Sequence, residues 1–351
     1  MPDQINSYLK TNSTPIIDND LVTFVWKGKT APHLVGDFTG WDEDKPAVME
    51  KHSNGIWTYT LSFPGDAYIE YGYIKDGEPI LDPHNPRKTS NGIGGDNNYF
   101  SMPGYRPSTL NRRKRNIVHG LVSRHELSTG YLIAGRKRTV HLYHPPTVGP
   151  VPLIVVWDGQ DYLLRLRLNN MVDTLIAEGR LQPVALAFID NAGEDFRTAE
   201  YACSDATLAF LMLEVLPLAK MELDLINIEQ NPGAYGVLGA SMGGLMAMYT
   251  GVRIPYVFGN VLSQSGAFAW GDFEMVVFDL LQLGEYRPIK IWMDVGLYDL
   301  SGLLDTNRRM QQMLTEKGYA LTYHEYPAGH NYPSWADDVG HGLEALFGAG
   351  K

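Results

Sequence analysis

The sequence predicts an α/β region with a mostly parallel sheet and helices on both faces, preceded by an all-β sandwich. Two patterns carry this prediction. The first hundred residues hold short strand-like runs, each closed by Gly, Pro, Asn or Asp. The remainder alternates apolar strand runs with segments of helical spacing. A length of 351 residues agrees, since it suggests two domains at roughly 150 residues each. The 36 Gly and 21 Pro point to many turns.

In chain order, Leu21 to Trp26, Pro32 to Val35, Ile56 to Phe63 and Tyr68 to Ile74 read as strands, ended by pairs such as Gly36-Asp37, Pro64-Gly65 and Asp76-Gly77. Short strands at this spacing indicate a β-sandwich. Asp82 to Asn98, dense in Pro, Asn and Gly, reads as an ordered loop. Gly104 to Asn116 then places Arg106, Arg112, Arg113, Lys114 and Arg115 in an otherwise acidic chain. It reads as a solvated connector, with anion binding as the alternative. The expected division is residues 1–103 for the sandwich, 104–118 for the linker and 119–351 for the α/β domain.

Beyond the connector, Tyr131 to Tyr143 and Pro152 to Trp157 are expected strands, the second an unbroken apolar run suited to a sheet covered on both faces. Leu163 to Glu178 has helical spacing, Val184 to Ile189 is a buried strand, and Ala206 to Leu225 is a helix. Ala234 to Leu238 leads into a helix from Met242 to Thr250. Gly259 to Leu262, Ile289 to Val295 and Leu321 to Tyr326 extend the sheet, with helices near Leu304 to Lys317 and Trp335 to Phe347.

Composition excludes several classes. Twenty-nine Lys plus Arg against forty Asp plus Glu give a net charge of −11, too acidic for a chain whose main partner is nucleic acid. An apolar content of 44% with 20% charged residues argues against disorder. Cys203 is the only cysteine, so no intramolecular disulfide forms. Met1 to Pro15 is polar and lacks the apolar core of a signal peptide, and no run approaches ~18 uninterrupted apolar residues. The expectation is a cytoplasmic protein with no membrane partner, although a removed leader would leave the same sequence.

Gly239-Ala240-Ser241-Met242-Gly243 fits the G-x-S-x-G turn, in which a strand hands over to a helix and a serine is left exposed in a strained conformation. An apolar strand precedes it and a small-residue helix follows, which is the context the motif requires. A serine hydroxyl needs a base, and in this arrangement the chain order is Ser, acid, His, each on a loop after a strand. Of the later histidines, His324 lies inside a strand and His341 inside the last helix. His330, in Pro327-Ala-Gly-His-Asn, follows a strand directly and is the expected base. Asp299 is the best-placed acid, with Asp305 as competitor; Asp294 lies within the strand. The backbone N–H groups of Met242 and Gln160, the latter in Trp157-Asp158-Gly159-Gln160-Asp161, are the expected oxyanion donors.

With these residues in view, the chain resembles the putative esterase (esterase D-like) family of α/β-hydrolases, and within it the enterochelin esterase-like proteins. The resemblance covers nearly the whole chain. It rests on Asp158-Gly159-Gln160-Asp161, Arg197-Thr-Ala-Glu200-Tyr, Glu214-Val-Leu-Pro217, the serine turn, Gln264-Ser265-Gly266 and Gly329-His330 with Trp335. Leu34-Val-Gly-Asp-Phe-Thr-Gly-Trp41-Asp also resembles the early-set immunoglobulin-like domain that precedes such esterases, which is similar to glycogen-binding modules of family 48. The resemblance implies a serine carboxylesterase, without a metal, acting on siderophore, feruloyl or acetyl esters.

Arg197 matches an element near the family's active site, so it is expected either to bind an anionic or phenolate group on the substrate or to pair with Glu200. Trp270 is expected to wall an acyl pocket or to pack in the core. Trp41 and Trp57 suggest carbohydrate binding, but a domain that packs on the hydrolase and shapes its entrance is preferred, because tryptophans are mostly buried in sandwich cores. No H-E-x-x-H, cysteine cluster or nucleotide-binding glycine fingerprint occurs, so no metal and no cofactor is expected. The expected substrate is a small-molecule or carbohydrate-linked ester, and the chain is compatible with a homodimer. An acyltransferase using the same triad, a peptidase and a non-catalytic carbohydrate-binding protein are the alternatives.

Overall fold

The structure, a computed structural model, describes residues 13–92, 94–271 and 273–350. The polar stretch from Met1 to Pro15 lies outside the described residues as far as position 12. The described chain divides into two compact units. One takes in the residues up to Pro107 with two later stretches, Gly296–Leu304 and Glu325–Ser334. The other takes in Ser108–Val295, Asp305–His324 and the residues from Trp335 on.

Among the described residues up to Pro107 the first unit carries the short strands β1 (Ile16–Asp18), β2 (Leu21–Lys27), β3 (His33–Gly36), β4 (Glu50–Lys51), β5 (Ile56–Ser62), β6 (Tyr68–Lys75), β7 (Glu78–Ile80), β8 (Lys88–Ser90) and β9 (Asp96–Ser101). They form two sheets, ordered β1-β2-β5-β4 and β3-β6-β9-β8 with β7 on β6, and their pairings are antiparallel. The core is aromatic. Phe24 meets Tyr71 and Phe100 edge-on at 4.9 and 5.8 Å, a geometry the ring quadrupoles favour.

The loop expected over Asp82 to Asn98 is in part strand. β8 and the start of β9 fall within it because asparagine side chains supply bonds that the composition reads as turn chemistry. Asn98 Oδ1 accepts the Asp82 N–H at 2.6 Å, while its amide donates to the Asn85 and Arg87 carbonyls at 3.0 and 3.1 Å.

An eight-stranded sheet organises the remainder. Its members are β10 (Leu121–Ser128), β11 (Lys137–His144), β12 (Leu153–Trp157), β13 (Ala185–Ile189), β14 (Tyr235–Ala240), β15 (Phe258–Gln264), β18 (Lys290–Gly296) and β19 (Ala320–Tyr326), in the order β10-β11-β13-β12-β14-β15-β18-β19. β16 (Ala269–Trp270) and β17 (Phe273–Glu274) pair antiparallel as a separate two-stranded sheet. The run β13-β12-β14-β15-β18 is parallel, and β10 and β11 close the sheet antiparallel. Every residue of β12, β13 and β14 is buried, as a sheet covered on both faces requires.

The helices are α1 (Gly159–Leu164), α2 (Leu168–Ala177), α3 (Glu194–Tyr201), α4 (Asp205–Phe210), α5 (Leu216–Glu222), α6 (Met242–Arg253), α7 (Val277–Gln282), α8 (Leu303–Glu316) and α9 (Tyr332–Phe347). Among the described residues no helix is long and apolar enough to cross a membrane.

Three elements differ from the sequence reading. The strand expected from Tyr131 begins only at Lys137, because Gly130, Tyr131 and Gly135 take positive φ and turn the chain back from β10. The helix expected over Leu163 to Glu178 breaks at Arg167, which takes φ 55°. The helix expected over Ala206 to Leu225 contains a π-helical turn, Leu211–Val215, just before Pro217, whose ring removes a helical donor.

Candidate active site

At the end of β14 the chain changes direction within one residue. Ser241 takes φ 59° and ψ −123°, and α6 begins at Met242. A non-glycine residue holds such a backbone only when its surroundings enforce it, at roughly 1–3 kcal/mol of strain. Crowding enforces it here. A Cβ on Gly239 would fall into the backbone of Gly243, and one on Gly244 would lie 2.9 Å from both the Gln264 carbonyl and Ser263 Oγ. Two bonds pin the turn to the neighbouring strand and its exit: Ser241 N–H donates to the Gln264 carbonyl at 2.9 Å, and Ala267 N–H donates to the Ser241 carbonyl at 3.0 Å.

Asp299 and His330 both lie in the first unit, after β18 and β19 respectively. The structure brings them together: His330 Nδ1 is 2.6 Å from Asp299 Oδ1, with the carboxylate fully buried and the imidazole 13% exposed. Asp299 Oδ1 also accepts the Leu300 N–H at 2.8 Å, so backbone donors orient the acid. A carboxylate on Nδ1 leaves Nε2 as the basic nitrogen, the tautomer a general base needs. Asp305 is exposed in the first turn of α8.

The other expected site residues have specific partners. Gln160 sits in α1, and its Oε1 accepts the Asn191 N–H at 3.1 Å. Its backbone N–H faces Asp190, whose carboxyl is pushed up to about 6 by burial, with Arg138, Arg124 and that N–H opposing. Arg197 does not pair with Glu200. Its Nε and Nη2 grip both oxygens of Asp158 at 2.7 and 2.6 Å, and Nη2 reaches the Ala240 carbonyl at 3.4 Å. Glu200 instead takes Arg138 in a buried bidentate pair, both contacts 2.8 Å. The reason is reach: a fork–carboxylate pair needs two parallel N–H bonds, and Asp158 presents both carboxylate oxygens to accept them from Arg197. Trp270 lies in β16, and its side chain is outside the described part of the structure. The Trp41 indole N–H donates to Asp37 at 2.8 Å and that of Trp57 to the Gly28 carbonyl at 3.1 Å. Cys203 is pushed up to about 12 by burial, which leaves it a thiol at neutral pH.

Beside the serine turn lies a polar network that the sequence did not reveal. Gln264 accepts the Tyr162 hydroxyl at 2.9 Å and donates to Asp294 at 3.0 Å. Asp294 also accepts the Trp292 indole N–H at 3.0 Å. Burial first, then the Asp338 carboxylate, hold Asp294 well above the usual carboxyl range. Asp338 in turn takes His324 at 2.9 Å and His341 at 3.2 Å, so both of these histidines have structural partners.

A mostly parallel sheet with helices on its faces and a strained serine between strand and helix is the architecture of an α/β-hydrolase-like protein. Comparison places the chain further. The sequence model of the family described as "Putative esterase" matches residues 132–345, and the chain belongs to that family, as a member of the enterochelin esterase-like type. It is 29% identical over 211 residues to the iron(III) enterobactin esterase of Dickeya dadantii (strain 3937), a match covering 56% of this chain and 48% of that protein. It is 27% identical over 237 residues to the iron(III) salmochelin esterase of Escherichia coli O6:H1, covering 63% and 57% respectively. The chain thus spans about half the length of the curated relatives it matches. In fold it is similar to the enterobactin esterase of Shigella flexneri, with a TM-score of 0.76, 20% identity and 97% of each chain covered. A ferulic acid esterase of Anaeromyces mucronatus aligns at a TM-score of 0.58 with 15% identity, over 70% of this chain and 97% of that one.

Proposed function

We propose that the protein is a serine carboxylic-ester hydrolase in which Ser241 is the nucleophile, His330 the general base and Asp299 the acid that orients it. The observation that carries this reading is the backbone of Ser241, held at φ 59° and ψ −123° where β14 passes into α6. The His330–Asp299 bond and the chain order Ser, Asp, His support it. Ser241 Oγ attacks the ester carbonyl as His330 Nε2 takes its proton; His330 then protonates the departing alcohol, and a water repeats the sequence on the acyl-enzyme. The Met242 N–H, at the start of α6, is the first donor to the oxyanion. The Gln160 N–H, in the first turn of α1, is the second.

The substrate is a small or sugar-linked ester. The matched relatives are named for enterobactin and salmochelin and a fold neighbour for ferulic acid, so catecholate and feruloyl esters are the classes to try first. Two features favour a neutral ester: the net charge of −11, and the commitment of Arg197 to Asp158. The two antiparallel sheets of the first unit fit an early-set immunoglobulin-like sandwich. Ser241→Ala, assayed on p-nitrophenyl acetate, should lose all measurable turnover; retained activity would overturn the assignment. A panel of acetyl, feruloyl and catecholate esters, run with and without a competing alcohol, identifies the acyl group and separates hydrolysis from acyl transfer.

A further inference from the structure

Asp37 has no part in the mechanism above, yet it is only 2% exposed and its surroundings form a support. It follows β3. Oδ1 accepts the Trp41 indole N–H at 2.8 Å, and Oδ2 accepts the backbone N–H of Glu70, in β6, at 2.7 Å. Its carboxyl also presses on Gly329, the residue before His330: a Cβ on Gly329 would fall inside the Asp37 carboxyl group. The φ of Gly329 lies outside the left-handed region, so glycine is required there for space and not for backbone freedom.

The segment leading to His330 is held from other sides as well. Tyr68 N–H donates to the Pro327 carbonyl at 3.1 Å, Leu297 N–H to the Tyr326 carbonyl at 2.8 Å and Tyr298 N–H to the Ala328 carbonyl at 3.0 Å. These groups all lie within the first unit. Burial first, then the Glu70 carboxyl, with Asp299 adding in the same direction, hold Asp37 well above the usual carboxyl range.

We propose that Asp37 is a positioning residue for the base: held by Trp41 and the Glu70 N–H, its carboxyl is the wall against which Gly329 rests, and it fixes where the His330 ring meets Asp299. The proposal rests on the triad reading above. Its test is steady-state hydrolysis of p-nitrophenyl acetate by the full chain, with thermal melting of each variant. Asp37→Ala should lower kcat about ten-fold or more with KM within about two-fold, since it misplaces the base and leaves substrate contacts intact. Asp37→Asn keeps the shape and one acceptor and should stay within about three-fold of wild type. Gly329→Ala should lower kcat about a hundred-fold, and adding Asp37→Ala to it should recover part of the loss because the collision is gone.

A kcat for Asp37→Ala within about two-fold of wild type, or a double variant no better than Gly329→Ala alone, overturns the proposal. Should Asp37→Ala not fold, Trp41→Phe removes one of the two bonds to Asp37; a kcat lowered about three-fold supports the proposal, and an unchanged kcat overturns it. Ser241→Ala separates the two readings. If that variant stays active, the triad is wrong; if it is inactive while Asp37→Ala matches wild type, only the positioning role fails.

Discussion

Ser241 and the His330–Asp299 pair are held in place by different physics. The serine turn is fixed by volume: Gly239 and Gly244 abut backbone and a buried hydroxyl so closely that the chain has one path from β14 into α6. His330 and Asp299 are fixed by charge and hydrogen bonds, with a buried carboxylate on the imidazole and the buried Asp37 side chain behind Gly329. The serine turn should therefore respond to added atoms, and the His330–Asp299 region to the loss of the Asp299 charge as well as to an atom added at Gly329.

The largest expected effect tests the charge-governed region. Asp299→Asn should lower kcat by about 10⁴-fold, because the amide no longer selects the tautomer in which Nε2 is the base, while Asp305→Asn should stay within about two-fold. Equal losses from the two would break the contrast between the buried and the exposed acid. Next in size is a stability effect. Glu200→Ala leaves the Arg138 guanidinium buried without its carboxylate and should cost roughly 3–5 kcal/mol in urea unfolding. Third, Gly239→Ala should destabilise the chain by about 3 kcal/mol or lower its soluble yield outright, since its Cβ meets backbone that cannot step aside. Wild-type stability and activity in that variant would show that volume does not govern the turn.

The smallest effect is a pH dependence. Burial pushes Glu70 up to about 7. Between the ordinary glutamate value and that pH, the folded chain keeps a proton that the unfolded chain releases. Stability is then highest at low pH and falls as pH rises through about 7. Glu70→Gln should flatten this fall, so that the drop in melting temperature between about pH 5 and pH 8 shrinks by roughly 2–4 °C. An unchanged pH profile would remove the electrostatic half of the comparison.

What could be seen in the sequence follows the range of the interactions. The apolar runs of β12 to β14 and the G-x-S-x-G turn are local patterns, and they predicted the parallel sheet and the position of Ser241. β10 was missed because Arg124 and Glu126 interrupt an edge strand whose residues are exposed or only half-buried. The break at Arg167 was hidden because helical spacing continues across it. Ion pairs were the least legible: the short spacing of Arg197 and Glu200 suggested a pair, but each carries a distant partner, Asp158 and Arg138, brought close only by the fold. Asp37 belonged to a stretch recognised for its likeness to a domain, and nothing in that stretch pointed to Gly329.

The central claim is that Ser241 is the nucleophile, and covalent trapping tests it most directly. The chain is incubated with a fluorophosphonate, whose phosphorus the serine oxygen attacks with loss of fluoride, and the adduct is located by intact-mass and peptide mass spectrometry. A single phosphonyl group on Ser241, absent from Ser241→Ala, is the predicted result. An adduct on another residue, or hydrolysis that continues at full rate after Ser241 is modified, would contradict it.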